Sequence, residues 1–248
     1  MGEGGGLMIY FYSGTPGSGK SYCLARTAKD WICLMCKNVI TNVAFDFSQF
    51  TRNKRVKYGE VIYKMDNELT VDFFINYSLE NLKQGVEHQC LIVFDEAQTI
   101  FSPTAIKLKC QEDRLYRKRW LDFFTMHRHL GYDIILVSQF DRLIDAQVRC
   151  LFEYNYIHRK LNNYGKFGKI IDLLKISMFN QTIFWYGSRE VLQKKIVFFN
   201  RKFAKVYNSY AFREVALAKL EEMYPDKYKK KKSLEKKDNK KKIVIVKK

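Results

Sequence analysis

Gly14-Thr15-Pro16-Gly17-Ser18-Gly19-Lys20-Ser21 is the stretch that decides the fold. It fills every position of the P-loop pattern, with an apolar run at 7–12 leading in and a helical pattern leaving from Lys20. Phosphate chemistry explains the residue types. Glycines reach φ values closed to most residues and turn their N–H groups inward on phosphate oxygens, while the following helix N-terminus adds partial positive charge. Lys20 is placed to reach the β- and γ-phosphates, and the Ser21 hydroxyl to ligate Mg²⁺.

Such a loop needs an acidic residue at the end of a neighbouring strand to hold the hydrated metal. Leu91-Ile92-Val93-Phe94-Asp95-Glu96 supplies it: Asp95 is the metal candidate, and Glu96 puts a second carboxylate where an attacking water must be activated. A third apolar run, 133–137, ends in Ser138-Gln139. A glutamine amide at that strand end can bond both the γ-phosphate and the water.

Around these motifs, short β-branched runs alternate with helical patterns, the signature of βαβ units about a parallel sheet. Helices are expected over 20–36, 71–83, 111–130 and 211–223, strands over 7–12, 39–43, 91–94 and 133–137, and a strand or hairpin over 56–63. Beyond Phe152, aromatic alternation with glycine turns at 152–157, 176–185 and 196–199 suggests antiparallel strands appended to the parallel core. The fold class is α/β: a P-loop NTPase with a mainly parallel sheet flanked by helices. One domain is expected over 1–225 (core 7–158, appended part 159–225), followed by a lysine-rich mobile tail over 226–248.

The chain of 248 residues carries 44 Lys+Arg against 26 Asp+Glu, a net +18. Half of that excess sits in the tail, where twelve lysines face Asp226, Glu235 and Asp238. An apolar content of 47% excludes disorder as the overall class. No apolar window is long enough for a membrane span, and the glycine-rich N-terminus lacks the layout of an export signal. Six dispersed cysteines read as reduced thiols, so the expected location is the host cytoplasm, with peripheral attachment at the inner membrane face open to the tail.

The series GTPGSGKS, LIVFDEAQ and HRHLGYDIILVSQ, followed by Arg149 and an aromatic strand region, resembles the zonula-occludens-toxin (Zot) domain of filamentous-phage assembly ATPases, within the FtsK/HerA-type class. The likeness covers roughly 7–158, with weaker support to 199. It implies an ATP-hydrolysing motor, with Mg²⁺, that acts on single-stranded viral DNA beside phage coat and assembly proteins. It also implies a homo-oligomeric ring in which an arginine of one subunit reaches its neighbour's γ-phosphate. Arg128 and Arg149 are the two candidates, and the resemblance does not choose between them. Family members usually continue into a membrane span, which is not visible here; the lysine tail could substitute by gripping anionic lipid, or could grip nucleic acid. Two other readings stay open: a nucleotide-binding assembly scaffold at the membrane, and a plasmid or conjugative-type DNA pump.

Weaker signals have blander readings. Cys33 and Cys36 form a CxxC without a second pair, which reads as a buried helix face. His127 and His129 do not share a helix face and read as surface or capping residues. The basic helix with Arg114, Arg117, Lys118, Arg119 and Arg128 reads as a solvated face, or as a nucleic-acid path if Tyr116, Trp120 and Phe123 serve as stacking groups.

Overall fold

The computed structural model describes residues 9–51, 53–106, 111–163 and 177–207, with positions 165, 168, 173 and 174. The chain divides into two units, Met1–Tyr207 and Asn208–Lys248. The helix expected over 211–223 and the lysine tail lie outside the described residues.

Strand β1 (Ile9–Ser13) runs into the P-loop and helix α1 (Lys20–Cys33) leaves it. Then follow β2 (Asn38–Thr41), β3 (Val61–Tyr63), α2 (Val71–Asn81), β4 (Cys90–Phe94), the short α3 (Gln98–Phe101) and α4 (Pro103–Ile106), α5 (Gln111–Met126) and β5 (Tyr132–Val137). After α6 (Ala146–Arg149) come β6 (Tyr154–Lys160), β7 (Met178–Trp185), β8 (Val191–Phe198) and α7 (Arg201–Ala204). The strands form one sheet in the order β3-β2-β4-β5-β1-β6-β7-β8.

Why β4 and β5 read as unbroken apolar runs is plain from the two faces of that sheet. Alternate side chains point to opposite sides, and both sides are covered. Phe74 of α2, Phe101 of α3 and Trp120, Phe123 and Phe124 of α5 pack on Phe11, Ile92, Phe94, Ile134 and Leu136. On the other face Cys23, Leu24, Ala28 and Ile32 of α1 pack on Tyr12, Leu91, Val93, Ile135 and Val137. At about 1.5–3 kcal/mol for each large apolar side chain withdrawn from water, these two layers hold the strand ends that carry the motifs in place.

The structure corrects several boundaries. The strand near 152–157, grouped above with the antiparallel appendage, is β6, and it runs parallel to β1 from Tyr10↔Tyr154 to Ser13↔Ile157. The connection through α6 returns the chain to the opposite end of the sheet, so the direction repeats. Only β7 and β8 are antiparallel to their neighbours. The strand or hairpin expected over 56–63 is the single short strand β3, because Gly59 crosses tightly over the end of α1: its N–H donates to the Ile32 carbonyl at 3.0 Å, and a Cβ there would lie 2.0 Å from the Lys37 carbonyl oxygen. Helix α1 stops at Cys33, not 36, where the Leu34 and Met35 N–H groups both fold back on the Asp30 carbonyl and Cys36 takes φ 56°. Helix α5 stops at Met126, not 130.

Candidate active site

β5 lies between β1 and β4, so the P-loop, the Asp95-Glu96 pair and Gln139 leave three adjacent parallel strands at the same sheet edge. Carboxyl ends of strands are where open α/β sheets gather a site. The Gly14 N–H donates to the Gln139 carbonyl at 3.2 Å, tying the loop to the tip of β5.

Strands β6 and β7 form the floor beneath the loop. Gly14 has φ 145°, and a Cβ there would meet the His158 carbonyl oxygen at 2.5 Å; Gly19, at φ 97°, has the Phe179 ring 2.5 Å from where its Cβ would stand. Both glycines are required by conformation and by space at once. The His158 Nδ1–H donates to the Ser13 carbonyl at 3.1 Å, and its Nε2 accepts from the Gln181 amide at 3.0 Å. Burial pushes this imidazole down to about 4, which keeps it neutral in that arrangement.

Thr15, Pro16 and Gly17 form the exposed crest of the loop, whereas Ser18 is buried. Lys20 Nζ donates to the Gly14 and Thr15 carbonyls at 2.6 and 3.3 Å. Burial lowers its pKa, and Glu96 and then Asp95 oppose that shift. The Ser18 hydroxyl is buried without a hydrogen-bond partner. A buried orphan hydroxyl beside a lysine that is bonded only to carbonyls suits an incoming anion, so these residues fit a phosphate group.

Asp95 is 4% exposed. Its backbone is clamped by Asn42 at the end of β2, whose Oδ1 accepts from the Asp95 N–H at 2.8 Å and whose Nδ2 donates to the Asp95 carbonyl at 2.9 Å. Burial first, then the Glu96 charge, pushes Asp95 up to about 6. A carboxylate held at that cost suits a divalent cation. Glu96 sits at φ 47°, in the left-handed region that side chains such as glutamate seldom adopt. Its carboxylate accepts from the Gln98 amide. The Tyr207 hydroxyl donates to Asp95 Oδ2 at 3.3 Å. Beside the loop, a cleft of about 980 Å³ opens between Gly14, Gln139, Asn155, Arg159 and Trp185.

With this geometry stand the comparisons with known proteins. The family model described as Zonular occludens toxin (Zot) matches residues 8–211. The chain belongs to the Zot family. The Gene 1 protein of Enterobacteria phage f1 is 24% identical over 152 residues, which is 61% of this chain and 42% of that protein, so the chain spans less than half of the curated relative. Among solved structures, the N-terminal domain of zonular occludens toxin from Neisseria meningitidis is 17% identical, covering 82% of this chain and 99% of its own with a TM-score of 0.44. A second solved structure, an ATPase domain at 10% identity, covers 82% of this chain and 84% of its own with a TM-score of 0.54 and shares the α/β ATPase fold.

In this Zot-family chain the two arginine candidates stand outside the cluster. The Arg128 guanidinium pairs with Glu87 at 2.8 Å, on the turn that precedes β5 and so at the sheet edge opposite the P-loop. Arg149 stands in α6, its Nε buried without a hydrogen-bond partner. The expected stacking role on α5 is corrected: Trp120 and Phe123 are core residues, and Tyr116 alone of the three is exposed. His127 is likewise buried, against the surface reading, with Nδ1 on the Phe124 carbonyl. Residues 120, 123, 124 and 127 are one inward stripe at helical spacing. Cys33 is half-buried at the helix end and Cys36 exposed beyond it, so the pair does not make a buried face. Among the described residues no helix is long and apolar enough to cross a membrane, and no three His, Cys, Asp or Glu side chains cluster as a metal site.

Four functional positions carried no signal in the sequence: Asn42, Gln98, His158 and Tyr207. Asn42 and His158 act through strand pairing, and Tyr207 lies 112 residues from Asp95. Gln98, two residues after Glu96, was the one that proximity could have flagged.

Proposed function

We propose that this chain is a Mg²⁺-dependent ATPase that drives the assembly or extrusion of a filamentous phage by acting on single-stranded viral DNA. The observation that carries the reading is the meeting at one sheet edge of Lys20 on the P-loop carbonyls, the clamped Asp95, the strained Glu96 and the tip of β5 at Gln139. Lys20 and the loop N–H groups of Gly14 to Ser21 bind the phosphates. Ser21 and Asp95 would hold Mg²⁺, which would supply positive charge to neutralise the phosphate oxygens. Glu96 takes the proton of the attacking water, with Gln98 fixing its carboxylate, and the Gln139 side chain orients that water against the γ-phosphate. Arg128 or Arg149 acts from a neighbouring copy in a ring. Family membership, a relative from phage f1 and the net charge of +18 all support a polyanionic, phage-linked substrate.

The test is ATP hydrolysis with and without single-stranded DNA at two salt concentrations. DNA should stimulate turnover, and raising salt from about 50 to about 200 mM should weaken that stimulation steeply. Lys20→Ala and Glu96→Gln should each abolish turnover while leaving the thermal melt in place. Full activity in either folded variant would overturn the assignment.

A further inference from the structure

A carboxylate in the loop after β3 belongs to none of the motifs, yet its hydrogen bonds lead to the site. We propose that Asp66 is a positioning residue for ATP hydrolysis: its two carboxylate oxygens hold the Asn42 amide and the Thr99 hydroxyl, and so fix the turn that carries Asp95 and Glu96. This rests on the ATPase reading above.

Three observations carry it. First, the strand order β3-β2-β4 sets Asp66, Asn42 and Asp95 in a row, each just past the carboxyl end of its own strand. The Asn42 amide is fully used there. One Nδ2 hydrogen goes to Asp66 Oδ1 at 2.8 Å and the other to the Asp95 carbonyl at 2.9 Å, while Oδ1 accepts from the Asp95 N–H at 2.8 Å. A carboxylate only accepts, so Asp66 keeps the Nδ2 side of that amide turned toward itself and the Asp95 carbonyl. Second, Asp66 grips the far side of the same turn. Its Oδ2 accepts from the Thr99 hydroxyl at 3.0 Å, and the Thr99 N–H donates to the Glu96 carbonyl at 2.9 Å. Glu96, at φ 47°, thus lies between two holds on one side chain, as a strained backbone needs. Third, the support is itself anchored. The Lys64 N–H donates to the Thr41 carbonyl at 3.0 Å, and the Glu68 carboxylate closes the loop on the Met65 N–H at 2.9 Å. The loop's lysine, Lys64, pairs with Glu68 at 3.2 Å, which leaves both Asp66 oxygens to their two donors.

Steady-state ATP hydrolysis by the full-length chain tests this, with thermal melts to show that each variant is folded. Asp66→Ala should lower kcat about tenfold, the worth of a hydrogen bond to a charged group, and leave KM for ATP within about twofold, because the P-loop contacts remain. Asp66→Asn should recover most of that loss: its oxygen still accepts from Asn42, and its amide donates to the Thr99 hydroxyl. Since Asp66 acts through Asn42, adding Asp66→Ala to Asn42→Ala should cost less than about threefold more. Independently of turnover, hydrogen exchange of the Asp95 amide should quicken about tenfold in Asp66→Ala. Thr99→Val removes the second hold at an exposed position, should lower kcat in the same direction, and decides the matter if an Asp66 variant melts below the assay temperature. Wild-type kcat in folded Asp66→Ala or Thr99→Val, an unchanged exchange rate at Asp95, or a full tenfold loss added to that of Asn42→Ala overturns the positioning role. A wild type that hydrolyses no ATP overturns the ATPase reading instead.

Discussion

His158 shows how one side chain under the P-loop sets a pH dependence for the whole domain. Its folded value of about 4 lies below the ordinary histidine value of 6.5, so between those limits the unfolded chain binds a proton that the folded chain does not. Stability from this residue is therefore complete above about pH 6.5 and is lost as pH falls toward about 4, by up to about 3 kcal/mol. Urea unfolding at about pH 7 and about pH 5 should show the loss in the wild type, and His158→Gln should flatten that difference. Glu96 makes the opposite trade. A glutamate at φ 47° costs about 1–3 kcal/mol of backbone strain. Glu96→Gly should then melt no lower than the wild type, and up to about 1 kcal/mol more stable, with no ATP turnover. At this scale the sequence was most readable where chemistry fixes both residue type and spacing, as in the loop from Gly14 to Ser21. It was silent on Asn42 and Tyr207, because their roles come from strand pairing and from a bridge to Phe45 that no local pattern encodes.

Helix α5 shows both what periodicity reveals at the scale of an element and how its reading can go astray. Its charges stand out in sequence, and the aromatics between them invite a stacking role. Yet Trp120 is 1% exposed and touches Phe74, Phe94, Phe101 and Phe124. Trp120→Ala should cost about 3–5 kcal/mol in urea unfolding, because the neighbouring rings cannot close over the space left. A cost below about 1 kcal/mol would mean that the helix is not seated as described. Strand direction was the other element-level error. The alternation of polar and apolar residues beyond Phe152 is real, but alternation reports which faces are covered, not which way a strand runs. The direction of β6 was set by the return through α6.

Over the whole molecule the net charge of +18 separates into two equal parts, one in residues 1–225 and one in the lysine tail. If the tail adds phosphate contacts, removing 226–248 should leave ATP turnover per molecule unchanged and flatten the salt dependence of single-stranded DNA binding, measured by fluorescence anisotropy. An unchanged slope would show that the tail does not grip DNA.

The packing of Gly14 on β6 and of Gly19 on Phe179 has a thermodynamic consequence for that same whole. Residues after 158 look like an addition to a finished nucleotide-binding unit, but the loop rests on one of them, Phe179, through Gly19. Ligand binding and hairpin integrity are then linked functions, and each must strengthen the other by the same free energy. Nucleotide should slow hydrogen exchange along β7, whose amides are far in sequence from any phosphate contact. A chain cut after 158 should lose its affinity for ATP although both of its sequence motifs remain. On that prediction, the smallest nucleotide-binding unit of the chain includes the hairpin.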